Sequence, residues 1–147
     1  MIVSRDIHGA FMSGPPGAIE LFHGYTYSAH VLACAAGIAT LQLYEDEGLF
    51  ARAARMAPKL EAAIHSLRGE RHAIDVRNQG LVAAVEVAAR AGAPGARGYE
   101  IFAKCFDDGV LVRQTGDILA LAPALIVEDS EIDRMVASLR KALAAVD

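Results

Sequence analysis

A polar, aromatic segment gives way abruptly to an apolar one at residues 21–41, LFHGYTYSAHVLACAAGIATL. After Ser28 the apolar side chains recur every three or four residues, which is the spacing of one face of an α-helix. The residues at that spacing are Leu32, Ala35, Ala36, Ala39 and Leu43. The pattern predicts a helix that begins near Ser28 and stops near Gly48, since glycine commonly ends a helix.

The rest of the chain alternates helical and strand patterns. Helices are predicted over about 49–67, 99–108 and 128–146, and strands over 74–87 and on both sides of a turn at 115–117. The helix over 49–67 carries on one side the apolar residues Phe50, Ala54, Ala57, Leu60, Ile64 and Leu67. The last helix starts with acidic residues, and its predicted buried stripe is Ile132, Met135, Val136, Leu139 and Leu143. We interpret RNQG, 77–80, as a bend or bulge between two strands, MIVSR as the end of a strand, and MSGPPGA as a loop. This order predicts an α+β fold with helices on one face of a short sheet.

Composition excludes several classes of function. The formal net charge of the 147 residues is -4 with both signs interspersed, so no basic patch indicates nucleic acid or membrane binding. Cys34 and Cys105 lack CxxC spacing and are predicted to be buried thiols in a reducing compartment. The first residues do not follow the signal-peptide pattern. We therefore expect a cytoplasmic protein without a metal site.

Hydroxyl side chains precede the predicted apolar helix. Thr26 and Ser28 could cap that helix, which is the common role of such residues, or bind an anion at its N-terminus. Ser28 and His30 could suggest a nucleophile and a base, but no third group orients them. His23 and His30 are poorly spaced for a metal and favour structural hydrogen bonding.

Three segments resemble the class III, fold type I, pyridoxal-phosphate aminotransferases. HGYTYSAHVLACAAGIATLQLYEDEGL is similar to the ω-amino acid:pyruvate branch, where HG[YF]TYSGHP precedes an Ala-rich helix. The similarity continues, in order, through IDVRNQGLVAAVEVA and GVLVRQTGDILALAPALIVEDSEID. It covers nearly the whole chain and implies that the chain corresponds to the C-terminal portion of such an enzyme.

The resemblance also implies a domain organisation. Residues 1–27 would be the end of the large cofactor-binding domain, with a strand and a phosphate loop. Residues 28–67 would be connecting helices, and residues 68–147 the C-terminal small α+β domain. The parent enzyme would be a homodimer.

Cofactor-binding and substrate-binding residues follow from the same resemblance. Thr26 matches a threonine that binds the pyridoxal phosphate of the neighbouring subunit, and Tyr25 an aromatic position near the active site. Arg113 matches an arginine that receives the substrate carboxylate. Ornithine-type relatives carry their arginine in IIRFAPPL, where this sequence has Ala120, so the match favours the ω-branch. Val31 and Ala124 replace prolines that are usual in the family.

The implied reaction moves an amino group from an ω-amino acid or amine to pyruvate. The family's Schiff-base lysine would lie upstream of residue 1, and none of the three lysines here, Lys59, Lys104 and Lys141, matches a cofactor motif. The chain therefore contains no predicted catalytic residue and is expected to be inactive alone. The alternative is a non-catalytic interaction or regulatory module derived from the small domain.

Overall fold

The computed structural model describes residues 3–15 and 26–147. Its elements, in chain order, are α1 (Arg5–Phe11), α2 (Val31–Asp46), α3 (Leu49–His65), β1 (Ala73–Gln79), β2 (Val82–Val87), α4 (Ala96–Asp107), β3 (Arg113–Thr115), β4 (Ile118–Leu121) and α5 (Asp129–Ala144). The chain groups into two units, Met1–Thr40 and Leu41–Asp147, with α2 crossing their boundary. The predicted domain boundaries after residues 27 and 67 stay a prediction.

A short helix, α1, lies between the predicted strand and the predicted loop, over residues for which, Arg5 apart, the sequence predicted no element. Ser4 caps α1 by accepting a hydrogen bond from the Ile7 amide over 3.4 Å, and Asp6 lies in the first turn. A hydroxyl at the N-cap and a carboxylate near the positive end of the helix dipole both favour a helix. The strand predicted for residues 1–5 is therefore wrong over the described residues 3–5.

Helix α2 is apolar on all sides and exposed. It begins at Val31, three residues later than predicted, and none of its residues is buried. Leu32, Ile38 and Leu41 are 75%, 70% and 64% exposed. Cys34 is exposed too, so the prediction that both cysteines are buried is right only for Cys105. A helix with apolar side chains on every face is normally found inside a protein.

The second unit is a mixed α+β structure built on a four-stranded antiparallel sheet of order β1-β2-β4-β3. Val76, Val85 and Leu119 lie opposite one another on neighbouring strands and are buried. Helix α3 contacts β1 and β2, α4 contacts β3 and β4, and α5 contacts both α3 and α4. Because side chains alternate along a strand, the opposite sheet face carries the intervening residues.

The buried face of α3 differs in part from the predicted one. Leu60, Ile64 and Leu67 are fully buried as expected, and Met56 packs against the same core. Phe50 was predicted to join them but is 66% exposed and lies edge-on to Tyr44, with 5.0 Å between ring centroids. Phe50 stands one residue beyond Leu49, which begins the buried stripe, so the helical period turns its ring outward.

The predicted bend at residues 77–80 is also displaced. Residues 77–79 belong to β1, and the turn falls at Gly80 and Leu81, where Gly80 has φ +55°. The irregularity in the pairing of β1 with β2 lies instead between Ala73 and Asp75. The strands around Gly116 and Asp117 are confirmed as a hairpin.

Candidate functional site

Arg113 lies on the open face of the sheet. It is exposed in β3 and pairs with Ala120 of β4, which pairs with Ala84 of β2, which pairs with Arg77 of β1. Directly opposed residues of antiparallel strands share a face, so the two arginines flank two alanine side chains. Ala120, the position compared above with the arginine of ornithine-type relatives, thus lies directly opposite Arg113 on the neighbouring strand.

The two arginines of this row differ in their electrostatic surroundings. Arg77 donates hydrogen bonds to Asp75 and, over 3.0 Å, to Glu86, and these bonds raise the pKa of Arg77 above its usual value. Arg113 forms no ion pair or side-chain hydrogen bond with residues 3–15 or 26–147. A guanidinium without a carboxylate partner can accept one from a ligand in a bidentate pair.

The turn that follows Arg113 is bound to the start of α4. The Asp117 carboxylate accepts hydrogen bonds from the Gly95 amide over 2.6 Å and the Gly98 amide over 3.0 Å. A Cβ atom built on Gly98 would stand 2.2 Å from the Gly116 carbonyl oxygen. The sequence predicted the turn but not these contacts, since their residues are about 20 positions apart.

Thr26 lies in an exposed turn ahead of α2. Its hydroxyl does not cap that helix, because the helix begins five residues later and the Ala33 amide donates to His30 Nδ1 over 3.4 Å. The prediction that Thr26 or Ser28 caps α2 is therefore wrong. The structural role favoured for His30 agrees with this contact. Tyr25 lies outside the described residues.

The lysines occupy helix surfaces and pair with carboxylates. Lys59 lies 2.9 Å from Asp133, Lys104 lies 3.9 Å from Glu100, and Lys141 lies 2.6 Å from Asp108. The hydrogen bond to Asp133 raises the pKa of Lys59, and the hydrogen bond from Lys141 lowers the pKa of Asp108. The ion pair with Asp133 favours the protonated ammonium form of Lys59, which is not nucleophilic.

Cys105 carries a buried free thiol in the second unit. It lies in the core between α4 and α5, and burial raises the pKa of its thiol above the usual value. A thiol with a raised pKa reacts slowly, because the thiolate is the reactive form. Cys105 therefore has the properties of a core residue.

Residues 1–143 match the family described as aminotransferase class III. This chain belongs to the class III aminotransferases. It is 56% identical to an omega-aminotransferase of Caulobacter vibrioides over 98% of this chain and 33% of the relative. It is 39% identical to a beta-alanine–pyruvate aminotransferase of Pseudomonas aeruginosa over 97% of this chain and 32% of the relative.

Solved structures of transaminases share the fold of this class III chain. An omega transaminase of Pseudomonas jessenii in complex with PMP matches with a TM-score of 0.76 and 31% identity, covering 84% of this chain and 29% of that one. A transaminase with L-ala matches with a TM-score of 0.75 and 31% identity, over 84% of this chain and 31% of that one. The chain thus spans about a third of the length of the relatives it matches. No described helix has both the length and the apolarity to cross a bilayer.

Proposed function

We propose that this chain contributes the C-terminal portion of a pyridoxal-phosphate enzyme that transfers an amino group from an ω-amino acid or amine to pyruvate. The match to the class III family over residues 1–143 supports the reaction class. The names of the Caulobacter and Pseudomonas relatives support the ω-branch. Arg113 lies exposed on the open sheet face and has no carboxylate partner among residues 3–15 and 26–147, and this observation carries the choice of carboxylate substrates.

The cofactor, when bound, supplies an electron sink for the amino-transfer chemistry. Of the described residues, Thr26 has the chemistry to hold its phosphate: an exposed hydroxyl, not used as a helix cap, in the turn before α2. We assign Thr26 to the phosphate of a neighbouring subunit's cofactor in a homodimer, with Tyr25 beside that site. The three paired lysines do not fit the cofactor, so its Schiff-base lysine belongs to another part of the enzyme.

Arg113 binds the substrate carboxylate in this proposal. The alanine side chains of Ala84 and Ala120 leave room beside its guanidinium for a planar carboxylate to form two parallel hydrogen bonds. Arg77 does not share this role, since Asp75 and Glu86 already neutralise its charge. The arginine orients both pyruvate and an ω-amino acid, whereas an amine without a carboxylate has nothing to pair with it.

The test uses an enzyme completed by joining the N-terminal two thirds of the Caulobacter relative to this chain. We expect Arg113→Ala to weaken productive binding of pyruvate and β-alanine roughly tenfold to a hundredfold, since a hydrogen bond to a charged group contributes about 1.5–3 kcal/mol. The half-reaction with 1-phenylethylamine should change much less. Single-turnover measurements of cofactor absorbance separate the two half-reactions.

Arg77→Ala is the matched control, because it removes an arginine from the same row of the same sheet face. We expect it to affect charged and uncharged substrates alike. Equal losses for both substrate classes with Arg113→Ala would mean that Arg113 supports the hairpin and does not bind the carboxylate.

A further inference from the structure

The residue at the N-cap position of helix α4 provides no side chain that could cap the helix. Its N-cap position is Gly95, which has no side chain and adopts φ +81°. A helix N-terminus leaves amide groups unpaired and carries the positive end of the helix dipole. The Asp117 side chain from the β3–β4 turn fills this role, with one carboxylate oxygen on the Gly95 amide and the other on the Gly98 amide. The negative charge of this cap suits the helix dipole.

Gly98 allows the turn to approach the helix closely. A Cβ atom at this position would stand 2.2 Å from the Gly116 carbonyl oxygen and 2.9 Å from Asp117 Cα. Both are backbone atoms, so an alanine here would force the turn away from α4. The approach is also fixed from the sheet side, where the Val87 amide donates to the Asp117 carbonyl oxygen over 2.9 Å. We call Asp117, Gly98, Gly95 and Gly116 the hairpin latch.

The hairpin latch lies close to Arg113 along the chain. Strand β3 contains only residues 113–115, and Gly116 follows it directly. Arg113 pairs with Ala120 and Thr115 with Ile118, so the hydrogen-bonded ladder carries any displacement of the turn to Arg113. In addition, the side-chain Nε2 of Gln114 donates a hydrogen bond to the Gly116 carbonyl oxygen. The place of the guanidinium therefore depends on the distance between the turn and α4.

We propose that Asp117 and Gly98 are positioning residues, which hold the β3–β4 hairpin against the N-terminus of α4 and so place Arg113 for the substrate carboxylate. This inference rests on the proposed function of Arg113. It adds two residues that never touch the substrate to the set that determines selectivity for carboxylate substrates.

The first experiment uses the 147-residue chain and does not depend on catalysis. Hydrogen–deuterium exchange, followed by mass spectrometry, is measured for Asp117→Ala and Gly98→Ala. We expect faster exchange in peptides that cover residues 95–98 and also in those that cover 113–121. Asp107→Ala and Gly37→Ala are the controls, since the Asp107 side chain forms no ion pair with the described residues and a Cβ on Gly37 meets nothing within 4 Å. Faster exchange confined to 95–98 would overturn the inference.

The second experiment uses the completed enzyme and compares substrates. We expect Gly98→Ala and Asp117→Ala to raise the KM for pyruvate and β-alanine about tenfold, with a much smaller effect on kcat and on the 1-phenylethylamine half-reaction. Asp117→Asn should fall between, because its amide oxygen can still accept one of the two hydrogen bonds. A residue that only stabilises the fold would reduce both half-reactions alike.

The outcomes separate this inference from the proposed function. If Arg113→Ala discriminates between charged and uncharged substrates but the latch variants do not, the proposed function stands and the inference is wrong. If Arg113→Ala itself fails to discriminate, both are wrong. Selective loss of carboxylate substrates in all three alanine variants supports both.

Discussion

Thr26 can be tested separately from Arg113, because it is assigned to the cofactor. In the completed enzyme we expect Thr26→Ala to weaken pyridoxal phosphate binding roughly tenfold to a hundredfold, which corresponds to one lost hydrogen bond to a charged group. Ser28→Ala is the control in the same turn and should have a smaller effect. A fluorescence titration measures the affinity. An unchanged affinity in Thr26→Ala would show that the hydroxyl does not bind the phosphate.

The sequence predicts the roles of some side chains but not their contacts. The resemblance singled out Arg113 and Thr26, and their assigned roles stay predictions. It did not show that Arg113 faces Ala120 or that Arg77 is neutralised, because both facts depend on strand register. The role of Asp117 could not be predicted either, since its hydrogen-bond donors lie 22 and 19 residues away along the chain.

Helix α2 exposes an apolar surface to solvent in the isolated chain. Its exposed apolar side chains should make the isolated chain associate with itself, because large apolar patches drive association in water. We expect Ile38→Asp to increase the monomer fraction in sedimentation velocity. Phe106→Asp is the control, as it introduces the same charge at a 61% exposed position on α4. Equal association in wild type and Ile38→Asp would contradict this role of α2.

Among the elements, those with strong periodicity were predicted well. Helix α5 was expected from its apolar stripe and acidic start, and a capping box between Glu128 and Glu131 fixes that start. Helix α1 was missed because seven residues carry too little periodicity to outweigh the strand-like residues before it. The bend was predicted over the whole of RNQG, whereas residues 77–79 belong to β1 and the Asn78 side chain hydrogen-bonds His65 of α3.

The chain as a whole is expected to be catalytically inactive on its own. We expect no alanine formation from pyruvate with β-alanine or 1-phenylethylamine as donor, because all three lysines are engaged in ion pairs outside a cofactor motif. The completed enzyme serves as the positive control. Turnover by the 147-residue chain, abolished by substitution of one of its lysines, would contradict the assignment of the Schiff-base lysine to another part of the enzyme.

The α+β class and the order of the second unit's elements were predictable, because hydrophobic periodicity and turn residues are local signals. The exposure of α2 was not predictable in the same way. Its apolar composition indicates a buried helix, and burial depends on what surrounds the helix. Because the class III relatives are about three times as long as this chain, we expect other parts of the enzyme to cover α2.

The cap on α4 has a consequence for the order of folding during synthesis. Helix α4 has 12 residues, a length that is marginal for an isolated helix in water. A ribosome makes the chain from the N-terminus, so the first turn of α4 is synthesised about 20 residues before Asp117. Until the hairpin has formed, the Gly95 and Gly98 amides have only water as a partner. We therefore expect the start of α4 and the strand that carries Arg113 to become ordered together, after Asp117 has been synthesised.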